Sequence, residues 1–258
     1  MERINKLVTV TNREIIDDLR NIPNVTLVYP LKSFCVGYTD AFDILEIDDY
    51  VLVNRILDDN DLDKLESILN SSNIKGIVFD DLGIIDIVAN LDITKILLLD
   101  HLATNTKSIN YYLEYIDSVV VSNDLTEEEI RNIVANVSKP LVINVFGLKT
   151  LMYSRRLLLS NYEMYHNLKE ERIVDANIED KYFKIVENDY GTLFYAKNYY
   201  NALCLLDLDN VLFFWYNPIF LDNEKIIKLV LDNDITDINS ELLFLDKKTY
   251  YKVGDIDA

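Results

Sequence analysis

Short apolar runs recur along the chain at intervals of roughly 20–25 residues, and helix-like patterns fill the stretches between them. Most of these runs are continuously apolar, which is typical of parallel strands that are covered on both faces. We therefore predict eight strands, at Leu7–Thr11, Val25–Pro30, Tyr50–Arg55, Gly76–Asp80, Lys95–Asp100, Ser118–Ser122, Pro140–Phe146 and Val211–Tyr216.

The stretches between the runs contain recognisable helix starts. Thr126 precedes three glutamates and has Glu129 at the position that completes a capping box. An apolar stripe of leucines at helical spacing follows Asp59 and Asp61. The other predicted helices and their capping residues are Leu62–Leu69 after Asp59 or Asp61, Ile109–Tyr115 after Asn105 or Thr106, and Asn223–Leu231.

Regular alternation of strand and helix predicts an α/β fold, a (β/α)8 TIM-like barrel. An open doubly wound sheet is the alternative, but eight evenly spaced units favour closure. Before the last strand, Lys184–Val186 and Thr192–Tyr195 flank Asp189-Tyr190-Gly191 and predict a β-hairpin insertion. We expect one barrel domain over residues 1–258, with an irregular segment at 161–210 and a short tail at 240–258, in which Leu242–Val253 is β-prone.

Composition narrows the function more by exclusion than by assignment. The net charge of −19 argues against direct nucleic-acid binding, which uses a basic face. No apolar run approaches the length of a membrane span and no leader pattern opens the chain, so we expect a cytoplasmic protein without membrane contact. Six glycines and no glycine-rich loop argue against a dinucleotide fingerprint.

Few residues are available for metal chemistry. The two cysteines, Cys35 and Cys204, belong to no spaced set, and the histidines are His101 and His166 alone. Zinc and iron–sulfur sites use three or four ligands at short spacings. We expect no metal and no cofactor.

Polar residues at the carboxyl ends of barrel strands are the candidates for a site, because active sites of such barrels lie at that end. Each of them could instead end its strand or cap the next helix. Only one of Asp80 and Asp81 can face inward if the strand continues. The candidates are Asn54, Arg55, Asp80, Asp81, Asp100, His101, Ser122, Asp124, Asn144, Tyr153, Ser154 and Arg156.

None of these residues forms a recognisable catalytic set. Asp100 and His101 are adjacent, so on a strand they point to opposite faces. Ser154 and Ser160 lack a base that the sequence places beside them, and no His-Glu-x-x-His helix occurs. Arg155 and Arg156 could bind a carboxylate or phosphate, or Arg156 could clamp an acidic neighbour such as Asp124.

A longer motif runs from the seventh strand into the next helix. Val142 to Gly147 is followed by Tyr153-Ser154-Arg155-Arg156-Leu157-Leu158-Leu159-Ser160. This stretch resembles the signature of the collagenase-like peptidases, peptidase family U32: Glu-Val-Phe-Val-His-Gly, then Tyr-Ser-Gly-Arg-Cys-Leu-Leu-Ser. The positions that match are Gly147, Tyr153, Ser154, Arg156, Leu158, Leu159 and Ser160. Val142, Phe146 and Leu157 replace the family's Glu, His and Cys, and Thr150 stands at its second signature cysteine.

The resemblance extends over about residues 25–165. Tyr50–Ile56 is similar to a family strand that ends in Asn, and Gly76–Gly83 to its Asp-x-Gly strand end. Asn105 falls where the family has the Asn of its fifth-strand loop. Val119–Thr126 parallels an Arg-Glu-Leu-Ser segment, with Asn123 and Asp124 in place of the Arg and Glu.

This resemblance implies peptidase activity or, in other branches, hydroxylation of RNA bases (a tRNA modification) or quinones, often with an iron–sulfur cluster held by four cysteines. The chain lacks those cysteines. We therefore expect a U32 homologue without iron–sulfur chemistry, a pseudoenzyme that acts as a binding or partner subunit to a cysteine-bearing family member. The alternative is an active, metal-free enzyme that acts on a peptide or takes part in RNA-base hydroxylation. A peptide or small anionic ligand is expected at Asn54, Arg55, Asp81, Asp100, His101, Asp124, Tyr153, Ser154 and Arg156. A structural barrel with an unknown ligand is the third hypothesis.

Overall fold

Eight parallel strands close into a barrel in the computed structural model, which describes residues 4–178 and 181–247. Each strand pairs in parallel with its neighbour in the chain, and the eighth pairs with both the first and the seventh, which completes the ring. The predicted (β/α)8 barrel is thus confirmed. Its strands are β1 Lys6–Thr9, β2 Val25–Pro30, β3 Tyr50–Val53, β4 Gly76–Phe79, β5 Thr94–Leu98, β6 Ser118–Val120, β7 Leu141–Ser154 and, after an insertion, β11 Val211–Asn217.

Helices cover the outside of the barrel between most consecutive strands, whereas only a short 3-10 helix, Ile44–Glu46, lies between β2 and β3. Asn105 and Thr126 cap their helices as predicted, and Thr126 forms the complete capping box with Glu129. The cap of the second helix is Asp58 rather than Asp59 or Asp61, because this helix begins earlier than its leucine stripe. The helices are α1 Ile16–Arg20, α2 Asp59–Asn70, α3 Ile84–Val88, α4 Thr106–Tyr112, α5 Glu127–Asn136, α6 Leu158–His166 and α7 Asn223–Asp232. No helix of the described residues is both long and apolar enough to cross a membrane.

Alternate residues of the strands fill the barrel interior. Leu52, Val78, Ile96 and Val142 belong to one buried cluster there, and the residues between them pack outward against the helices. This follows from the strand period of two. Counting on along each strand, the same inward row reaches polar residues at the carboxyl end, where the site lies.

The seventh strand runs far beyond its predicted end at Phe146. Its first half pairs with β11 inside the barrel up to Gly147, and its second half pairs antiparallel with Gly191–Asn201, strand β10, up to Ser154. An irregularity in the register lies between Asn144 and Phe146. The polar residues Lys149 and Thr150 hid this continuation, because they interrupt the apolar run that indicated the strand.

An antiparallel sheet is inserted between β7 and β11. Its strands are β8 Ile173–Ile178, β9 Lys181–Asn188 and β10 Gly191–Asn201, with a short β12 Ser240–Glu241 beside β10. The pairing of β9 with β10 confirms the predicted hairpin. Segment 161–210 thus holds most of α6 as well as these three strands. Of the predicted β-prone tail, Tyr250 and Tyr251 lie outside the described residues.

Candidate functional site

The inward-facing row ends in polar side chains at the carboxyl end of the barrel. Asn54 and Asp80 follow β3 and β4, Asp100 lies just past β5, and Asn144 and Asn217 belong to β7 and β11. All five line one cavity of about 70 Å³ at the mouth of the barrel.

Three oxygen atoms of this row are buried and have no hydrogen-bond partner within the described residues. They are Asp80 Oδ1, Asn144 Oδ1 and Asn217 Oδ1. Asn217 is 8% exposed, and its amide nitrogen donates to the Tyr38 hydroxyl at 3.2 Å, which leaves the oxygen for another partner. Buried polar atoms are nearly always satisfied in folded proteins. The mouth is therefore a place where hydrogen-bond donors are missing.

Two carboxyl groups of the cavity ionise less readily than an ordinary aspartate. Burial, reinforced by the nearby Asp100 and Asp81, raises the pKa of Asp80 to about 7. Burial also raises the pKa of Asp100, although Lys149 and His101 oppose the shift. Near neutral pH, Asp80 can therefore give up or accept a proton.

A second group of charges lies at the rim, centred on Asp124. Lys149 Nζ donates to Asp124 Oδ1, and His101 Nδ1 lies 2.7 Å from Asp124 Oδ2. Burial tends to raise the pKa of Asp124, but the hydrogen bonds with Lys149 and His101 outweigh it and lower the pKa. The histidine therefore pairs with Asp124 rather than with the adjacent Asp100. The Arg156 side chain is exposed and does not pair with Asp124, whose carboxylate contacts Lys149 and His101, so the clamp suggested by the sequence is not formed.

Loops from two sides hold the mouth in shape. The Asn54 amide exchanges two hydrogen bonds of 2.9 Å with the backbone of Val36. Tyr195 of the inserted sheet donates to the Gly37 carbonyl oxygen at 3.2 Å, and Gly37 has a φ of +91° that favours glycine. The inserted sheet therefore closes one side of the cavity.

The nine residues at which a ligand was expected divide into those at the cavity or its rim and those elsewhere. Asn54, Asp100 and Tyr153 line the cavity, and His101 and Asp124 lie at its rim. The remaining four have other contacts, which are described next.

Arg55 and Asp81 contact residues beside the barrel and do not line the cavity. Arg55 is 7% exposed, forms an ion pair with Asp61 and lies over the Tyr190 ring at 4.4 Å. Asp81 accepts hydrogen bonds from the backbone of Leu57 and Gly83. Asp80 is thus the inward member of the aspartate pair.

Ser154 and Arg156 lie at the far end of β7. The Ser154 hydroxyl accepts a hydrogen bond from the Arg156 backbone at 3.1 Å, and the Arg156 side chain is exposed. Arg155 lies 3.6 Å from Asp58. None of these three side chains lines the cavity.

The sequence-based candidates did not include several residues of the cavity, among them Lys149, Asn217 and Tyr195. Lys149 was missed because β7 was predicted to end at Phe146. Asn217 was missed because the eighth strand was predicted to end one residue earlier. Tyr195 was taken only as part of a hairpin. Alternation from Phe213 through Trp215 would have placed Asn217 in the inward row.

Apolar side chains stand at the signature positions of the family's Glu, His and Cys. Val142 is fully buried inside the barrel, and Phe146 is fully buried outside it, stacked on Tyr199 with ring centroids 5.1 Å apart. Leu157 occupies the cap position of α6 without a side-chain hydrogen bond. None of these three side chains can donate, accept or transfer a proton.

The first turn of α6 holds a buried carboxylate instead. Glu187 is 3% exposed and accepts hydrogen bonds from the backbone of Leu159 at 2.8 Å and Ser160 at 3.0 Å and from both the Ser160 and Thr192 hydroxyls. Burial tends to raise the pKa of Glu187, but these hydrogen bonds lower it. The retained signature residues Leu159 and Ser160 thus join α6 to the inserted sheet.

The cysteines do not fit an iron–sulfur cluster, which is held by four of them. Cys35 is buried, donates to the Leu52 carbonyl oxygen at 2.7 Å, and burial raises the pKa of its thiol to about 12. Cys204 is exposed, near Glu127. Over residues 4–178 and 181–247, no group of three or more His, Cys, Asp or Glu side chains is arranged to hold a metal ion.

Comparison with known proteins agrees with the signature. The sequence model of peptidase family U32 matches residues 44–174, just over half of the chain. The chain belongs to peptidase family U32. This U32 protein is also 28% identical, over 121 residues, to an uncharacterized protease of Methanocaldococcus jannaschii. The match covers 44% of this chain and 30% of the relative, so the chain corresponds to less than a third of that protein. No solved structure is significantly similar.

Proposed function

We propose that this U32 protein acts as a partner or binding subunit of a second, cysteine-bearing family member, and that it does not perform the family's iron–sulfur chemistry. One observation carries the proposal: Val142, Phe146 and Leu157 stand at the positions of the family's Glu, His and Cys, and their apolar side chains carry no reactive atom. The barrel and its signature glycine are retained while the reactive atoms are absent.

The proposed contact surface comprises the inserted sheet, α6 and the far end of β7. Eight of the exposed large apolar side chains of the described residues fall between residues 151 and 182. We call these the insertion surface: Leu151, Met152, Tyr162, Met164, Tyr165, Leu168, Ile173 and Tyr182. Such concentrations of exposed apolar groups mark protein–protein contacts.

Strand pairing supports the same location. Within the described residues, β8 pairs with β9 and with no other strand, so the backbone of Ile173–Ile178 ends the sheet. An unpaired edge strand can add a strand from another chain. The closed barrel, by contrast, has no edge to offer.

The test is native mass analysis after anaerobic purification, alone and together with a cysteine-bearing U32 member of the same cell. We expect a stoichiometric complex in which iron and sulfide accompany the second protein. The double substitution Tyr162→Glu and Tyr165→Glu, on exposed positions of α6, is expected to weaken the complex at least about tenfold, as loss of aromatic interface anchors does.

A matched control uses two exposed tyrosines that do not belong to the insertion surface. Tyr111 is 58% exposed, as is Tyr162, and lies on α4 next to Tyr115. Tyr111→Glu with Tyr115→Glu should leave the complex intact. A protein that stays free of the second member, or that carries its own cluster, contradicts the proposal.

The mouth supports a second candidate, an active metal-free enzyme. Two carboxyl groups with raised pKa values, Asp80 and Asp100, line one cavity, and a pKa of about 7 suits a general acid or base. A peptide is the substrate class that this arrangement favours over RNA, since the chain's charge of −19 repels polyanions. Hydroxylation of an RNA base is supported by the family resemblance alone.

Peptide turnover by the purified protein tests this candidate. Asp80→Asn should abolish turnover, whereas Glu66→Gln, which removes one carboxylate from the exposed face of α2, should not change it. Equal rates in both variants would remove Asp80 from any catalytic role.

A further inference from the structure

We propose that the mouth of the barrel is a binding site for a small organic cation that carries N–H donors, such as a primary ammonium or guanidinium group. The proposal rests on the unpartnered buried oxygens together with the cavity that they line. It holds whether or not the protein has a second family member as its partner.

Hydrogen-bond accounting gives the first step. Asp80 Oδ1, Asn144 Oδ1 and Asn217 Oδ1 are buried acceptors without donors in the described residues, and all three residues line the same cavity. An unmade hydrogen bond costs the full desolvation of the buried atom. A ligand that donates to these oxygens recovers that cost, whereas an anion adds a fourth acceptor.

Charge gives the second step. The cavity is lined by the carboxyl groups of Asp80 and Asp100 and by one cation, Lys149, whose ammonium group donates to Asp124 outside the lining. With that ion pair neutral, the remaining formal charge comes from ionisation of the two aspartates, and the charge of Asp80 develops as pH rises through about 7. The site therefore attracts a cation and repels a carboxylate or phosphate.

Size and shape give the third step. The free space of about 70 Å³ suits one ammonium or guanidinium group rather than a whole metabolite. Leu98, Leu148, Leu193 and Trp215 also line the cavity and provide apolar surface for the carbon atoms next to the charged group. A bare metal ion fits less well, since the described residues include no arranged metal-ligand group.

The arginine pair lies elsewhere. Arg155 and Arg156, the sequence-based candidates for binding an anion, lie at the end of β7 and do not line this cavity. The anionic ligand expected from the sequence would thus need a different location on the molecule.

The direct test is a titration followed by NMR of the side-chain amides of Asn144 and Asn217, with methylammonium, guanidinium, tetramethylammonium, acetate and Mg²⁺ as probes. We expect methylammonium and guanidinium to shift both amides, with dissociation constants no tighter than millimolar because the probes are so small. Tetramethylammonium has the same charge without N–H donors, so it should not bind.

Variants locate the site. Asp80→Asn should weaken methylammonium binding at least about tenfold, because a charged hydrogen-bond partner is lost. Glu66→Gln removes the same formal charge from the exposed face of α2 and should leave binding unchanged. Binding to wild type should also strengthen as pH rises through about 7, where Asp80 loses its proton. The titratable groups near Asp80 are Cys35, Asp81, Asp100 and Tyr153.

Several outcomes would overturn the proposal. These are equal shifts with tetramethylammonium, tighter binding of acetate, a response to Mg²⁺ alone, an unchanged affinity in Asp80→Asn, or no shift with any probe. If methylammonium binds, putrescine and a capped Ala-Lys-Ala peptide then distinguish a free amine from a lysine side chain, and tighter binding of either supports the site. A failed complex with the second family member leaves all of these results unaffected.

Discussion

The two ends of the barrel interior are built on opposite principles. At the amino end, the Tyr50 ring fills the space beside Gly76 and packs edge-to-face on Phe213, with centroids 5.6 Å apart. At the carboxyl end, the same alternating row reaches Asp80 and Asn217, which have buried oxygens without partners. One end is filled and satisfied, and the other is roomy and unsatisfied. Strand alternation continues through both ends, so the chemistry of the side chains alone separates the stabilising end from the binding end.

The largest expected effect lies at the filled end. A Cβ atom on Gly76 would stand 2.2 Å from Tyr50 Cε1, and the ring cannot move away without leaving Phe213. Gly76→Ala should therefore reduce the free energy of unfolding by about 3 kcal/mol, as overpacking does. Urea denaturation measures this loss.

Gly83→Ala is the matched control for Gly76→Ala. Its new Cβ would meet the flexible end of Leu62 at 3.0 Å, and the backbone of Gly83 is helical. The change should stay within about 1 kcal/mol. Equal losses in both variants would show that the amino end is not tightly filled.

The barrel strands that form both ends could be predicted from the sequence. The apolar runs predicted all eight barrel strands, because a strand buried on both faces needs little besides apolar side chains. Local patterns are sufficient for the strands, because they depend on neighbours along one strand. They left open which of Asp80 and Asp81 faces inward, and a ligand was expected at Asp81, whereas the structure places Asp80 in the cavity and Asp81 on backbone N–H groups.

The rest depends on contacts between distant segments. The extension of β7 to Ser154 exists because β10 pairs with it, and the sequence of β7 alone does not reveal that partner. Lys149 enters the cavity through this extension, and His101 reaches Asp124 because two loops meet at the rim. Pairing at such separations follows from tertiary packing, so the rim was only partly predictable.

The second largest effect is a dependence of stability on pH, and it arises from Asp80 at the carboxyl end of the barrel. The pKa of Asp80 is about 7 in the folded protein, against about 3.9 for an unperturbed aspartate. Between these values the unfolded chain binds fewer protons than the folded one, so stability falls as pH rises from about 4 to about 7. Above this range the full shift corresponds to roughly 4 kcal/mol of lost stability, at 1.36 kcal/mol per pKa unit.

The substitution Asp80→Asn removes the ionisable group, and with it the loss of stability at high pH, while the amide keeps an acceptor oxygen in the cavity. We expect the variant to be more stable than wild type by about 2 kcal/mol at about pH 8, since water in the cavity reduces the full effect, and to show little gain at about pH 4. Denaturation of both proteins at the two pH values is the measurement, with Glu66→Gln as the exposed control. A gain in stability that does not depend on pH would mean that the pKa of Asp80 is not raised in the folded protein.

The smallest effect is expected at the rim. His101 is 61% exposed, and its contact with Asp124 at 2.7 Å is therefore screened by water. His101→Gln should change the free energy of unfolding by no more than about 0.5 kcal/mol. Lys149 still neutralises Asp124 in the variant, so binding of methylammonium at the inner row should persist. If His101→Gln instead abolished that binding while leaving stability intact, the ligand would lie at the rim. The binding end of the barrel would then begin at Asp124 rather than at Asp80.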